Sequence, residues 1–234
     1  MRYAIYYTPP RDHELTLTAA HWLGRSPFEH DPVPIDHGYS AHLVAPSRYG
    51  FHGTLKAPFR LAVNVTETEL LNAFDAFLTR PRVIPEISLR VGALGSFLAL
   101  IPNDTEVDDL RALSRDCVLD FEPFRAPLTD AEIARRNPNL LPPLQLNYLH
   151  RYGYPHVFEA FRFHMTLTSA IDDAATQSEI QNHLADRFSK LLASPLRMST
   201  LAIFVEKEPG GQFQVLRIGE MTAQQDMYKR VGNE

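Results

Sequence analysis

The pentad Phe51-His52-Gly53-Thr54-Leu55 returns as Phe163-His164-Met165-Thr166-Leu167, displaced by about half of the 234-residue chain. Both copies lie in runs with strand character. A pattern used once per half points to two similar units, each bringing one histidine and one threonine to a shared place. On a strand, side chains alternate faces with period two. His52 and Thr54 therefore share one face, as do His164 and Thr166. Phe51, Leu55, Phe163, Met165 and Leu167 fall on the other face and can bury against helices. Continuing the alternation adds Lys56 to the His52 face and Arg162 to the His164 face.

The order of elements supports a duplication. Tyr3–Tyr7 reads as a strand, ended by Pro9-Pro10. Asp12 can cap a helix over about His13–Leu23, with Gly24 as the stop. Pro27, Pro32, Pro34 and Pro46 make residues 25–47 a loop, and the first motif strand comes after it. Thr66 and Glu69 form a capping box for a helix to about Thr79, and Ile87–Val91 and Ser96–Ile101 pair as strands. The second unit opens with a helix from Thr105 and Asp108 to about Leu119. Residues 120–155 come next, punctuated by Pro123, Pro127, Pro138, Pro142, Pro143 and Pro155. Thr129 and Glu132 can cap a short helix there, through Arg136. This segment is too long for an ordinary connection and reads as an insertion, with a lid over substrate as one use. The second motif strand lies within Ala160–Ala170, and Thr176 and Glu179 cap a helix to about Leu192. Leu196–Glu206 and Gln212–Ile218 form a final hairpin through Pro209-Gly210-Gly211. These elements predict an α+β protein made of two similar lobes. The first lobe covers about 1–104 and the second about 105–220, with 221–234 a polar, loosely held tail.

Charge narrows the function. A formal net charge of −5 and a pI near 6.1 disfavour a non-specific polynucleotide binder. The lone Cys117 allows no intrachain disulfide and reads as a buried structural thiol. No run approaches the ~20 apolar residues of a membrane span, and the first residues begin a strand rather than a signal-peptide core, so a cytoplasmic protein without membrane contact is expected. His30, His37 and His42 match no recognised metal-ligand spacing, His13, His21 and His183 read as helix-surface residues, and no G-x-x-x-x-G-K-[ST] occurs. No metal or cofactor is expected.

Two imidazoles aimed at one pocket suit phosphodiester cleavage. One takes a proton from the attacking oxygen and the other protonates the leaving oxygen. Thr54 and Thr166 can donate to the non-bridging oxygens, helped by Lys56 or Arg162. Tyr49, Tyr152 and Tyr154 are candidates to stack on a base or line a lid, with packing as the competing role. Arg48 and Arg151 are candidates for a terminal phosphate, with surface ion pairing as the alternative. His150 and His156 are either substrate contacts or surface loop residues.

The paired motifs resemble the two-histidine (2H) phosphoesterase superfamily, which includes RNA-ligase-like cyclic phosphodiesterases. The contexts R-Y-G-F-H-G-T-L-K-A-P-F and F-R-F-H-M-T-L-T look closest to a bacterial branch associated with phosphonate metabolism. The resemblance covers Tyr3 to about Ile218. It implies a bilobal α+β fold, a pseudo-twofold duplication with two mostly antiparallel sheets facing a central cleft and helices outside, and metal-independent hydrolysis of a cyclic phosphodiester by His52 and His164, with Thr54 and Thr166 completing the motifs. A small nucleotide or ribose cyclic phosphate is the implied substrate. An RNA end-processing or ligating enzyme on the same scaffold, and a non-catalytic nucleotide- or phosphosugar-binding module, are the alternatives. The partner expected is a small phosphorylated molecule, with RNA not favoured.

Overall fold

The structure, a computed structural model, describes residues 1–103 and 107–224. In chain order its elements are β1 (Arg2–Tyr7), α1 (Glu14–Leu23), α2 (Val44–Tyr49), β2 (Gly53–Phe59), α3 (Glu67–Thr79), β3 (Glu86–Ile87), β4 (Leu89–Leu94), β5 (Phe97–Pro102), α4 (Asp108–Asp120), α5 (Asp130–Ala134), α6 (Pro143–Tyr152), β6 (Met165–Thr166), α7 (Ala174–Phe188), β7 (Leu196–Arg197), β8 (Thr200–Glu206) and β9 (Phe213–Glu220). The class is α+β. Seven strands form one hydrogen-bonded sheet in the order β4-β5-β6-β2-β1-β8-β9, with every pair antiparallel, and β3 pairs with β7 in a small second sheet.

The large sheet has two halves, β4-β5-β6 and β2-β1-β8-β9. They meet where β2 touches β6, through the single pair Gly53–Met165. Each half takes strands from both halves of the sequence, because β6 joins the β4–β5 hairpin and the β8–β9 hairpin joins β1. A boundary near residue 104 therefore divides the sequence repeat but not the two halves of the sheet.

The strand patterns assign the faces. Tyr3, Ile5, Tyr7, Leu55, Leu201, Ile203 and Val205 belong to the main core, with Trp22 from α1, Phe74 and Phe77 from α3, Leu110 and Cys117 from α4, and Ile180 and Leu184 from α7. The alternate residues Ala4, Tyr6, Ala202 and Phe204 join Phe213 in a smaller buried cluster on the opposite face. Cys117 is fully buried and its burial raises its pKa, as a structural thiol requires.

Gly53 and Phe163 interlock at the junction. A Cβ on Gly53 would lie 2.3 Å from Cε2 of Phe163 and 2.6 Å from its Cζ. The residue between His52 and Thr54 must therefore lack a side chain, because the aromatic ring preceding His164 occupies that space. Phe51, Phe163, Met165 and Leu167 are all buried, while His52, Thr54, His164 and Thr166 are half-buried. Leu55 is buried in the main core as well, so the alternation read from the pentads holds through Leu55.

It fails at Lys56. Tyr6 pairs with Thr54 but Ile5 pairs with Lys56, so β2 carries one extra residue opposite β1. Such a bulge reverses the facing of the residues beyond it. Lys56 is buried (3% exposed) with Nζ 2.9 Å from the Val118 carbonyl and 2.8 Å from Glu122 Oε2. Its charge is held by that pair and does not reach the cleft.

Other boundaries differ from the expected ones for local reasons. His13, rather than Asp12, caps α1, its Nδ1 accepting from the Leu15 amide. The Thr66 and Thr129 capping boxes form as read, but Asp173 caps α7, which ends at Phe188. Thr105 lies outside the described residues. The segment 120–155 contains the unexpected helix α6, opened by Pro143 and closed by Gly153 at φ 74°. Proline is well suited to a helix's first turn because its φ is already helical and its missing N–H has no partner to lose there. Residues 221–224 are not loose. The amides of Met221, Thr222 and Gln224 donate to Ser199, Leu78 and Arg82, and Met221 and Ala223 are buried. Residues 225–234 lie outside the described residues.

Gly53→Ala is expected to cost about 1–3 kcal/mol by overpacking, and Phe163→Ala about 3–5 kcal/mol by opening a cavity. Once the ring is gone the added methyl has room, so the double variant should cost about the same as Phe163→Ala alone. Urea unfolding of the four proteins reads this coupling directly. Additive costs would mean that the two motifs do not interlock.

Candidate active site

His52 lies one residue before β2, and three residues, Gly50, Arg25 and Thr8, set its approach. Gly50, at φ 74°, ends α2. The buried Arg25 guanidinium donates to the carbonyls of Ser47 (2.8 Å) and Arg48 (3.0 Å), and also to that of Phe213 in β9. Thr8 Oγ1 donates to the Phe51 carbonyl at 2.9 Å. The segment that carries His164 is held by different side chains, beyond the motif threonine. The Trp22 indole donates to the Leu167 carbonyl at 2.7 Å, and the Leu98 amide donates to Thr168 Oγ1 at 2.9 Å.

The two imidazoles share a local geometry. His52 Nδ1 lies 2.8 Å from the carbonyl of Gly50, and His164 Nδ1 lies 2.9 Å from the carbonyl of Arg162. Each partner is two residues upstream. A carbonyl only accepts, so Nδ1 carries the proton in both rings and Nε2 is the basic nitrogen of the neutral form. Neither Nε2 has a hydrogen-bond partner among the described residues.

Their surroundings differ. His52 stacks on Tyr6, with ring centroids 3.9 Å apart and planes inclined by 23°, and Tyr49 and Phe204 lie about it at 6.0 and 5.9 Å. Burial pushes its pKa down to about 4, against the opposing pull of the Gly50 carbonyl, and a charge on His164 would lower it further. His164 faces Phe97, 5.7 Å away. Burial lowers its pKa too, and the Arg162 carbonyl opposes the shift.

All four motif residues line one cavity of about 170 Å³, with Tyr6, Tyr49, Arg2, Arg136 and Tyr154 in its wall. Thr54, Tyr154 and His164 also line a larger space of about 630 Å³, which adds Phe97, Gln145, His156 and Arg162. Residues 136–162 thus supply much of the cleft wall. Arg48 is one step removed, lining a neighbouring space with Arg2 and Arg136. It bonds Glu206 and lies over the Tyr49 ring at 5.2 Å. Arg151 is exposed, lies over Tyr152 at 5.3 Å, and lines none of these spaces. His30 contacts Gln214 and His37 stacks on Trp22, so the loop histidines serve separate local contacts. Among the described residues no three His, Cys, Asp or Glu side chains gather in a group able to hold a metal ion.

Tyr6, Arg2 and Arg136 join the site without any signal in the sequence that singles them out. Tyr6 arrives through strand register, opposite Thr54. Its position in an aromatic strand gives no sign of which face it takes. Arg136 comes after the capped helix α5, and a lone arginine beyond a short helix carries no local signal of a cleft.

The arrangement offers two basic imidazole nitrogens, two hydroxyls and three cations, Arg2, Arg136 and Arg162, around one cavity system. A neutral imidazole can take a proton from an attacking oxygen, and a protonated one can supply a proton to a leaving oxygen. Hydroxyl and guanidinium donors can hold the non-bridging oxygens of a phosphoryl group.

Comparison with known proteins places the chain. It is 39% identical over 222 residues to a Janthinobacterium sp. (strain Marseille) protein named ribose 1,5-bisphosphate phosphokinase PhnN, covering 91% of this chain and 49% of that one. It is 34% identical over 229 residues to a protein of the same name from Laribacter hongkongensis (strain HLHK9), covering 93% and 51%. The chain spans about half the length of these relatives. Among solved structures, similarity extends to E. coli LigT in complex with NADP+ (12% identity, TM-score 0.43, covering 94% of this chain and 97% of that one). A conserved protein of unknown function from Agrobacterium tumefaciens is also similar (15%, TM-score 0.42, covering 92% and 83%). A family model described as a protein of unknown function, DUF1045, matches residues 54–214. That match takes in most of the chain and both motif threonines, and the chain belongs to the DUF1045 family.

Proposed function

We propose that this protein hydrolyses a small cyclic phosphodiester without a metal, with His52 as general base and His164 as general acid. The observation that carries this reading is the pairing of two H-x-T motifs on one cavity, each imidazole bonded through Nδ1 to the carbonyl two residues upstream. Water attacks phosphorus while His52 Nε2 takes its proton. The bond from phosphorus to one ring oxygen breaks, and that oxygen takes a proton from His164 Nε2. Thr54, Thr166 and Arg162 hold the non-bridging oxygens as their charge grows. His52 suits the base because its strongly lowered pKa keeps it neutral, whereas His164 borders the roomier space where a leaving oxygen and Arg162 can be accommodated.

The name shared by the two relatives refines the substrate. A ribose 1,5-bisphosphate phosphokinase acts on a sugar with phosphates at C1 and C5. This chain has no G-x-x-x-x-G-K-[ST] loop, so we assign the kinase chemistry in that name to the other half of those proteins. A cyclic diester that bridges O1 and O2 of ribose 5-phosphate opens to ribose 1,5-bisphosphate. Attack by water with cleavage of the P–O2 bond leaves the phosphate on O1. We take a ribose 1,2-cyclic phosphate as the substrate class.

Chelator-treated protein should hydrolyse ribose 1,2-cyclic phosphates faster than nucleoside 2′,3′-cyclic phosphates, and His164→Ala should lower kcat by about 10²–10⁴-fold. Chelator-sensitive turnover restored by added metal would contradict the scheme. The pH profile has a definite sign. The base is competent above its pKa of about 4, and the acid is competent below a pKa that burial holds under the ordinary 6.5. On this reading kcat/KM peaks on the acid side of neutrality and declines as pH rises through 7. The kcat profile lies at higher pH, because a bound anion favours both imidazolium forms. A kcat/KM profile that is flat from about pH 5 to 9 would remove the histidine pair from the mechanism.

A further inference from the structure

Past the two-histidine cavity the cleft continues into a second space of about 430 Å³. Arg2, Tyr49, Pro58 and Arg136 line both, so the two spaces share a wall. The second space is basic. Five arginines (Arg2, Arg48, Arg60, Arg135 and Arg136) face two carboxylates, Glu132 and Glu206, leaving three positive charges in excess within a chain of net charge −5.

The pairing inside it shows where that excess resides. Arg60 is matched to Glu132, with Nε and Nη2 at 3.2 and 3.0 Å from its oxygens. Arg2 and Arg48 both bond the buried Glu206, so one carboxylate serves two guanidinium groups. Arg135 donates to the backbone carbonyl of Ala131. Arg136 lies over the Tyr154 ring, 5.1 Å from its centroid, and no carboxylate pairs with it among the described residues. Stacking on a tyrosine holds a guanidinium plane in place and leaves its edge free to donate. Arginine forks match the oxygens of a phosphate in pairs, and the half-buried Arg48 brings a second guanidinium to the same space.

We propose that this arginine-lined space is a second anion subsite, in which Arg136, with Arg2 and Arg48, holds a phosphate monoester on the same molecule whose cyclic diester lies between His52 and His164. The role in turnover rests on the hydrolytic reading above, but anion binding does not. The subsite makes the enzyme selective for sugar cyclic phosphates that carry a distal phosphate. It gives the binding energy of a non-reacting group a place to act on the reacting one.

Two experiments separate the subsite from the chemistry. The first is calorimetry with ribose 5-phosphate and ribose, neither of which contains a cyclic diester. The wild-type protein should bind ribose 5-phosphate at least tenfold more tightly than ribose, more weakly as salt is raised. Arg136→Ala should lose at least tenfold in that affinity, and Arg136→Lys should fall between. Equal affinity for the two sugars, or binding unaffected by Arg136→Ala, would overturn the subsite. The second is kcat/KM for ribose 1,2-cyclic phosphate with and without a 5-phosphate. The wild-type preference for the phosphorylated ester should fall at least tenfold in Arg136→Ala, chiefly through KM, and an unchanged preference would overturn the proposal. A protein that hydrolyses neither ester yet binds ribose 5-phosphate through Arg136 would retire the hydrolytic reading and support the subsite.

Discussion

One close approach governs this molecule: the Phe163 ring lies where a side chain on Gly53 would be. Among the described residues the two halves of the sheet share only the Gly53–Met165 pair at their boundary, so their relative placement rests on packing at that point more than on a hydrogen-bonded ladder. The residues on either side of Gly53 are His52 and Thr54, and those after Phe163 are His164, Met165 and Thr166. The contact that joins the halves is therefore the contact that brings the two motifs together. A larger residue at 53 would push β2 from β6 and separate the two imidazoles, so the fold and the site depend on the same atoms.

Electrostatics then gives the two equivalent copies different characters. Both histidines use the carbonyl two residues upstream to fix their tautomer, an effect of local backbone geometry that a duplicated motif carries twice. The surroundings break the symmetry. His52 lies against Tyr6, while His164 opens toward Phe97, Arg162 and the larger space. On the proposed mechanism, the burial that lowers the His52 pKa to about 4 suits that imidazole to the base and leaves His164 as the acid. The acidic chain meanwhile concentrates arginine around the cleft. Net charge describes the whole surface, whereas the field that a small anion meets is set by the few groups facing it.

Much of this is legible in the sequence, for identifiable reasons. A period-two alternation written twice gives the facing of His52, Thr54, His164 and Thr166, and the five apolar partners of the pentads are buried as the alternation requires. Capping boxes at Thr66 and Thr129 give helix starts because both partners lie within four residues. Lys56 departs from the alternation because of a bulge that only the pairing with β1 creates. The helix from Pro143 to Tyr152 is hidden when its prolines are taken as breakers, although a proline in the first turn opens a helix. Tyr6 and Arg136 reach the site through strand register and the path of a long segment, which no local pattern encodes. The sheet likewise exchanges hairpins between the sequence repeats, a feature that element order alone leaves open.

The proposed mechanism requires His52 and His164 to act as one unit on one phosphodiester. A kinetic double-mutant cycle tests it most directly, comparing kcat of the wild type, His52→Ala, His164→Ala and the double variant on a single cyclic phosphate, with near-UV circular dichroism to verify the fold. Groups that share one transition state lose far less together than the product of their separate losses. The double variant should be scarcely slower than the worse single variant. Losses that multiply, or a single variant that retains wild-type turnover, would contradict the mechanism.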